Sequence, residues 1–444
     1  MRKLMTIEQV LEHARSEGVK FLRLQFTDIL GVIKSVEVPA DQFEKAMKGQ
    51  LLFDGSSMEG FTRSEETDKA LKPDPDTFRI LPWSRDGESI ARIICDIYNP
   101  DNTPFEGCPR LTLKRAISLA RNMGYSLQAG PEIEFFLFLK KDNGDASTET
   151  HDPGSYFDMT PVDKGEEARR DIINVMETMD IGVEAAHHEL APGQHEIDLI
   201  QNDALTTADN IETFRFIVRF IAAKHRLHAT FMPKPLFGRA GSGMHVHLSL
   251  FKDGRNAFYD PGGDYQLSKT ALQFIGGLLR HARGFCVITN PLVNSYKRLV
   301  PGYDAPTNVI WSEQTPEPLI RVPAGRGAGT RVELRMPDPS CNPYLALTVI
   351  LSAGLAGIRE DMDPGPSITK NVQKMSHRER RHYRIGGLPR DLQEACELLK
   401  KDDVIREALG EQIFAHFLEA KRQEWSEYIA QVHPWELVRY LGTY

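Results

Sequence analysis

The stretch GPEIEFFLFLK, beginning at Gly130, constrains the fold more than any other part of the chain. Side chains alternate across a β-strand, so Glu132 and Glu134 point to the same face. A carboxylate at the mouth of an apolar run is costly to bury unless it is paired or holds a cation. The same alternation recurs elsewhere. In GMHVHLSL, His245, His247 and Ser249 share a face, and in TRVELRMPDP, Arg331, Glu333 and Arg335 do. HHELAPGQHEID adds Glu189 and Glu196 from what reads as a loop between helix and strand. A single stripe of this kind is by default a solvated sheet face. Four segments with one pattern favour a shared cleft.

The chemistry of that cleft is narrowed by residue type. Carboxylates with one imidazole suit Mg²⁺ or Mn²⁺ better than structural Zn²⁺, which prefers Cys and His. Two such ions with several arginines suit phosphoryl transfer. The chain has no G-x-x-x-x-G-K-[ST] loop, and AGSGMH and AGRGAGTR match neither nucleotide fingerprint. Any ATP site is therefore of another kind. His187 and His188 are adjacent, so on a strand they point apart, and at least one is expected to be structural.

The 444-residue length favours two or more domains. NPDNTPFEGCPR, Asn99 to Arg110, is rich in turn formers and marks the boundary, giving domains 1–104 and 105–444. KFLRLQFTDILG, SVEVPA and ARIICDIY before it read as strands. LTLKRAISLARNMG after it reads as a helix ending at Gly124. YLALTVILSAGLAGI is too short to span a bilayer and reads as a buried helix, started by Asn342 and Pro343. From Ser376 onward the chain is charged and helical. The expected class is α+β. A net charge of −8 argues against a general nucleic-acid surface, and the N-terminal segment reads as an amphipathic helix rather than a signal peptide. Five widely spaced cysteines suggest reduced thiols in a cytoplasm.

The motifs FDGSSMEGF, GPEIEFF, HHELAPGQHEID, KPLFGRAGSGMHVHLSLF, NSYKRLVPGYDAP and RVELRMPDPSCNPYLAL together resemble type I glutamine synthetase, in order and at family spacing. The resemblance is closest to the shorter form of Gram-positive bacteria. It implies an N-terminal β-grasp domain and a catalytic domain with a curved antiparallel sheet, surrounding helices and a bifunnel-shaped site. It implies ligation of ammonia to L-glutamate with ATP through γ-glutamyl phosphate, in a cytoplasmic dodecamer of two hexameric rings. Carried over by motif, one Mg²⁺ or Mn²⁺ takes Glu134, Glu189 and Glu196, and the other takes Glu132, His245 and Glu333. The ammonium pocket resembles Asp54 of an adjacent subunit with Ser57, Tyr156 and Glu189. Glutamate falls to Gly241, Arg298 and Arg335, and ATP to Glu184, His247, Ser249, Arg321 and Arg331. Arg63 matches the family's glutamine-feedback arginine. The shorter form also binds nitrogen-responsive transcription regulators. Regulation by tyrosine nucleotidylation is not expected, because Gly386 stands at the modified position and Tyr383 is out of register.

Three places depart from the family pattern. Ala240 replaces an Asn, Asp304 replaces the Glu of the flap that closes the glutamate entrance, and Thr315, Pro316 and Glu317 replace Asn-Arg-Ser. Pro316 removes a cation and a backbone donor together. Two classes of function follow: an active ligase on ammonia, or a paralogue with weakened catalysis, either a ligase for another amine or a mainly regulatory oligomer.

Overall fold

The computed structural model describes residues 5–55, 68–83, 88–314 and 317–444. Ser57, Arg63, Thr315 and Pro316 lie outside them.

The chain opens with the helix Ile7–Ser16, as the amphipathic pattern predicts. Thr6 accepts from the Gln9 amide and the Gln9 side chain answers to Thr6, a reciprocal cap. Six strands follow in one sheet. Val19–Thr27 and Ser89–Tyr98 run parallel at its centre. Ile33–Pro39 flanks the first, and Asp68–Pro73 then Leu52–Asp54 flank the second, all antiparallel. Leu22, Leu24, Ile93 and Ile97 fill a core separate from that of the rest of the chain.

Arg110 stands where the two parts meet. Its buried guanidinium donates to Asp96 at 3.0 Å and Asp74 at 2.7 Å, both from the N-terminal sheet. Its Nε and one NH₂ also donate to the two oxygens of Asp209, each at 2.9 Å. Asp209 lies on helix Ala204–Lys224 and accepts from the Tyr344 hydroxyl as well. A second tie comes from Asn342. Its side chain accepts from the Tyr344 and Leu345 amides, starting helix Pro343–Arg359, and donates back to the Asp28 carbonyl.

The larger part is built on an 11-stranded sheet. Its hub is the long strand Ser126–Lys140, which pairs antiparallel with Gln194–Leu199, Leu227–Thr230 and Met244–Lys252. Val183–His188 lies beyond Gln194–Leu199. Val332–Leu334 and then Ile320–Arg321 lie beyond Met244–Lys252. Within this sheet only the outermost pair, Trp311–Ser312 with Ile320–Arg321, is parallel among the described strands. The stretch expected as a loop between helix and strand is a β-hairpin, with Glu189 at its turn and Glu196 inside its second strand. The proline and glycine at 192 and 193 make the turn; the flanking alternation supplies the strands.

The opposite face carries the apolar core, covered by helices Ala204–Lys224, Lys269–Thr289 and Pro343–Arg359. The last two press together at Gly277 and Gly357, where an added Cβ would run into the other helix's backbone. All five cysteines are free and buried. No described helix is long and apolar enough to cross a membrane.

Candidate active site

Strand register gathers the predicted stripes onto one face. Glu134 stands opposite Glu196, and Glu132 stands between Asp198 on one side and His245 on the other. Glu196 in turn faces His187, while His247 faces Glu333, which faces Arg321. Six neighbouring strands thus present a continuous row of ionisable side chains.

Glu132 is the centre of the row. One oxygen accepts from His245 Nδ1 at 3.1 Å and the other from His247 Nε2 at 2.6 Å. Arg331 donates its Nε to His247 Nδ1 at 3.1 Å, which places the His247 proton on Nε2. Burial pushes Glu132 up, but the two histidines hold it well below the usual carboxylate range. Glu333 is buried completely and accepts from Arg335 at 2.8 Å and from Arg321. Despite the burial, His245 and Arg335 keep it below its ordinary value.

The other half of the row has fewer cations against more carboxylates, with His187 beside it and Arg298 behind it. Burial and the Glu189 carboxylate push Glu134 up to about 7. Burial and Glu196 push Glu189 up to about 7. Glu196, buried beside Glu134 and Asp198, is pushed up to about 10, and burial and Glu132 push Asp198 up to about 6. The ligating atoms of Glu132, His245 and Glu333 lie within 4.8 Å of one another, as do those of His187, Glu196 and Asp198. Two atoms able to ligate a metal are buried here without a partner, His245 Nε2 and Asp198 Oδ1, as is the donor Arg335 Nε. A row of carboxylates facing one another, with orphaned ligand atoms, fits divalent cations with oxygen and imidazole ligands. The first cluster coincides with the expected set. The second differs, with His187 and Asp198 beside Glu196, and Glu134 and Glu189 facing it from the hub strand and the hairpin turn.

Two cavities open from this row. One, about 640 Å³, is lined by Glu184, His247, Ser249 and Arg331. The other, about 680 Å³, is lined by Glu134, Tyr156, Glu189, Glu196, Asp304 and Arg335. They share Glu132, Ala185 and Asp198, so the site is a double funnel with a carboxylate neck. Arg321 lines the second cavity rather than the first.

The remaining predicted residues are placed differently. Arg298 is buried behind the cleft, and donates to the carbonyls of Met336 at 2.8 Å and Arg335 at 3.1 Å. It fits there because residue 243 is glycine; a Cβ would clash with its guanidinium. Gly241 offers its carbonyl to Gln194. Asp54 ends an exposed strand and lines neither cavity. Asp304 has φ +53° and lies 3.9 Å from Arg335. Burial and Asp304 push Glu317 up. Ala240 packs on the apolar cluster of Phe136, Phe138 and Leu236.

Of the two histidines, His188 is the structural one: fully buried, with Nε2 3.1 Å from Asp152. His187 faces the site, 3.0 Å from Glu196. Asp198 and Gln194 went unselected from sequence. Asp198 is two residues past Glu196 and obeys the same alternation, so the signal was present. Gln194 donates to Glu134 at 2.8 Å and to the Gly241 carbonyl at 3.1 Å, which no pattern reveals.

Two family models cover nearly the whole chain: the β-grasp domain of glutamine synthetase matches residues 18–100, and its catalytic domain matches residues 106–440. The chain belongs to the glutamine synthetase family. A glutamine synthetase of Thermus thermophilus is 60% identical over 443 residues, 99% of each chain. One from Staphylococcus aureus is 50% identical over 444 residues, all of both chains. A solved GmaS/ADP complex superimposes with a TM-score of 0.89 over 100% of both chains, at 32% identity. The glutamine synthetase of Plasmodium falciparum shares the fold, with a TM-score of 0.88 over 98% and 99% of the two chains, at 24% identity.

Proposed function

We propose that this glutamine synthetase family member ligates ammonia to the γ-carboxylate of L-glutamate, with ATP as phosphoryl donor and γ-glutamyl phosphate as intermediate. The double funnel carries the reading: two separate mouths converge on one carboxylate row. ATP enters the mouth lined by Glu184, His247, Ser249 and Arg331. Glutamate and ammonium enter the mouth lined by Tyr156, Glu189, Asp304 and Arg335. The γ-phosphate and the γ-carboxylate meet at Glu132.

Mg²⁺ or Mn²⁺ fits the row. Glu132, His245 and Glu333 would hold one ion; Glu134, Glu189 and Glu196, aided by Asp198 and His187, would hold the other. Such ions neutralise the charge on the transferring phosphoryl group. Arg321 and Arg335 add planar donors to the same oxygens. Arg298 supports the backbone carrying Arg335, and Gly241 offers main-chain contacts to glutamate. Glu189 and Tyr156, with Ser57 and with Asp54 from a neighbouring subunit, would bind ammonium. A carboxylate there takes the proton and leaves NH₃ free to attack the acyl carbon. Asp304, on the flap, would screen the acyl phosphate from water.

Asp54 lining neither cavity of its own subunit supports composite sites in a ring, for which a dodecamer of two hexamers is the family form. Glutamine feedback through Arg63, binding of nitrogen-responsive regulators and a cytoplasmic location belong to the same proposal.

The test is a steady-state assay with ATP and glutamate, measuring amide product with ammonium, methylamine, ethanolamine and a polyamine. Glutamine formation dependent on Mg²⁺ or Mn²⁺, fastest with ammonium, is expected. A faster reaction with another amine, or none with any, overturns the assignment.

A further inference from the structure

Lys234 has no part in the chemistry above, yet it joins two pieces of the glutamate-side cleft. It is buried, in the segment that leads to Gly241. Its amide donates to Asn294 Oδ1 at 2.7 Å, and its carbonyl accepts from Asn294 Nδ2 at 3.0 Å. The main chain at Lys234 is thereby pinned to the segment that continues into the flap. Its stem runs beside Gly241, where a Cβ would lie 3.2 Å from Lys234 Cδ. Its ammonium donates to the Arg239 carbonyl, and Nζ lies 3.5 Å from the centroid of the Tyr303 ring. Among the described residues it has no carboxylate partner. A desolvated ammonium over an aromatic face is the stronger form of the cation–π contact.

Tyr303 immediately precedes Asp304. The turn that carries both bends through Gly302 at φ +89° and Asp304 at φ +53°. Asp304 is exposed, and among the described residues its charged contact is the 3.9 Å approach to Arg335. Ala305 on the far side of Asp304 is buried in the core, and the Tyr303 ring is the side-chain anchor on the near side, with Lys234 as what it rests on. Burial and the Arg298 guanidinium lower Lys234 to about 8, which agrees with an ammonium held by a ring and a carbonyl alone.

We propose that Lys234 is a positioning residue that latches the flap, and so sets how γ-glutamyl phosphate divides between ammonia and water. In the productive reaction, nitrogen bonds to the γ-carbonyl carbon, the carbon–oxygen bond to phosphate breaks, and a proton passes to the carboxylate base. In the wasteful one, water adds to the same carbon and the same bond breaks, returning glutamate and inorganic phosphate. ATP is spent in both and the productive reaction releases one phosphate per glutamine, so the phosphate in excess of glutamine, per glutamine, reads the latch.

This rests on the ligase reading, and the experiment separates the two. Phosphate and glutamine are measured in one reaction at saturating ammonium for wild type, Lys234→Met, Lys234→Arg, Tyr303→Leu and the double variant Lys234→Met/Tyr303→Leu. Lys234→Met keeps the stem and is expected to raise the excess phosphate per glutamine roughly three- to thirtyfold, the span of a cation–π contact from exposed to desolvated. Lys234→Arg should restore most of the coupling. Tyr303→Leu, on a surface turn, should match Lys234→Met, and the double variant should be no worse than either. A lysine that only supports the fold would lower the melting temperature and leave the ratio alone. Tight coupling in both single variants, with active wild type, overturns the latch. No glutamine from wild type overturns the ligase reading instead.

Discussion

Glu134 and Glu196 stand directly opposite each other on antiparallel strands, and both are buried. Like charges so placed are destabilising. A chain selected for stability alone would not keep them. The site therefore stores electrostatic repulsion that only protons or cations relieve.

That gives a prediction about the metal-free protein. Glu196→Gln should abolish turnover and raise the melting temperature measured in excess chelator. Wild type should gain at least as much on adding Mn²⁺, since a ligand at 100 times its Kd contributes about 2.7 kcal/mol. A variant that is no more stable than wild type without metal would contradict the repulsion. Glu134→Ala and Glu333→Ala should likewise lose ATP-dependent turnover.

The pH dependence has a definite sign. Glu134 and Glu189 have ordinary values near 4.5 and are pushed up to about 7 in the fold. Between those values the folded chain binds more protons than the unfolded one, so this contribution is present below 4.5 and lost as pH rises through 7. Glu196 extends the loss further into alkali. Glu132 acts oppositely: its contribution is present above its ordinary value of 4.5 and is lost progressively as pH falls below it. The stabilisation conferred by Mn²⁺ should thus grow as pH rises from 5 to 8. Melting temperatures with and without the ion test this, and a gap that shrinks with pH would count against it.

Gln194 offers a subtler case. It lines neither of the two cavities of the site, but its amide holds Glu134 and the Gly241 carbonyl together. Gln194→Leu should weaken metal activation by about 10–100-fold, the usual cost of losing an outer-shell partner. A titration of activity against Mn²⁺ measures it. An unchanged midpoint would mean that Glu134 is positioned without Gln194.

Arg110→Ala should destabilise the fold by about 3–5 kcal/mol, because it takes the shared buried cation from three carboxylates where the two parts of the chain meet, leaving Asp96 and Asp74 to Lys114 and Asp209 to the Tyr344 hydroxyl. Urea unfolding reads this, and loss of a single cooperative transition would show that the arginine couples the two parts.

Composite sites predict complementation. Mixed rings of inactive Asp54→Ala and inactive Glu333→Ala subunits should recover some activity, since one pairing of neighbours assembles an intact site. Verified hybrids with no recovery would place Asp54 outside the chemistry.

Most of the site was legible because strand alternation is a local property. Once Glu132 and Glu134 share a face, register alone decides what they meet. The hairpin Val183–Leu199 was misread because its proline and glycine outweighed the alternation on either side. Arg298 looked like a ligand-facing residue; only the tertiary path of residues 334–337 shows that its donors hold carbonyls. The Asp304 substitution also gains a local reason. Aspartate tolerates a left-handed backbone better than most residues, and φ there is +53°.

The neck shared by Glu132, Ala185 and Asp198 separates two mouths that have no other lining in common. On the proposed assignment, side chains at the mouth given to the nucleotide, such as Glu184 and Ser249, can change without reshaping the mouth given to the amine. Side chains around Tyr156 and Asp304 can likewise change without touching the first mouth. Such a scaffold lets acceptor preference drift over generations while the phosphoryl donor stays fixed, because the two kinds of selectivity are written on opposite walls.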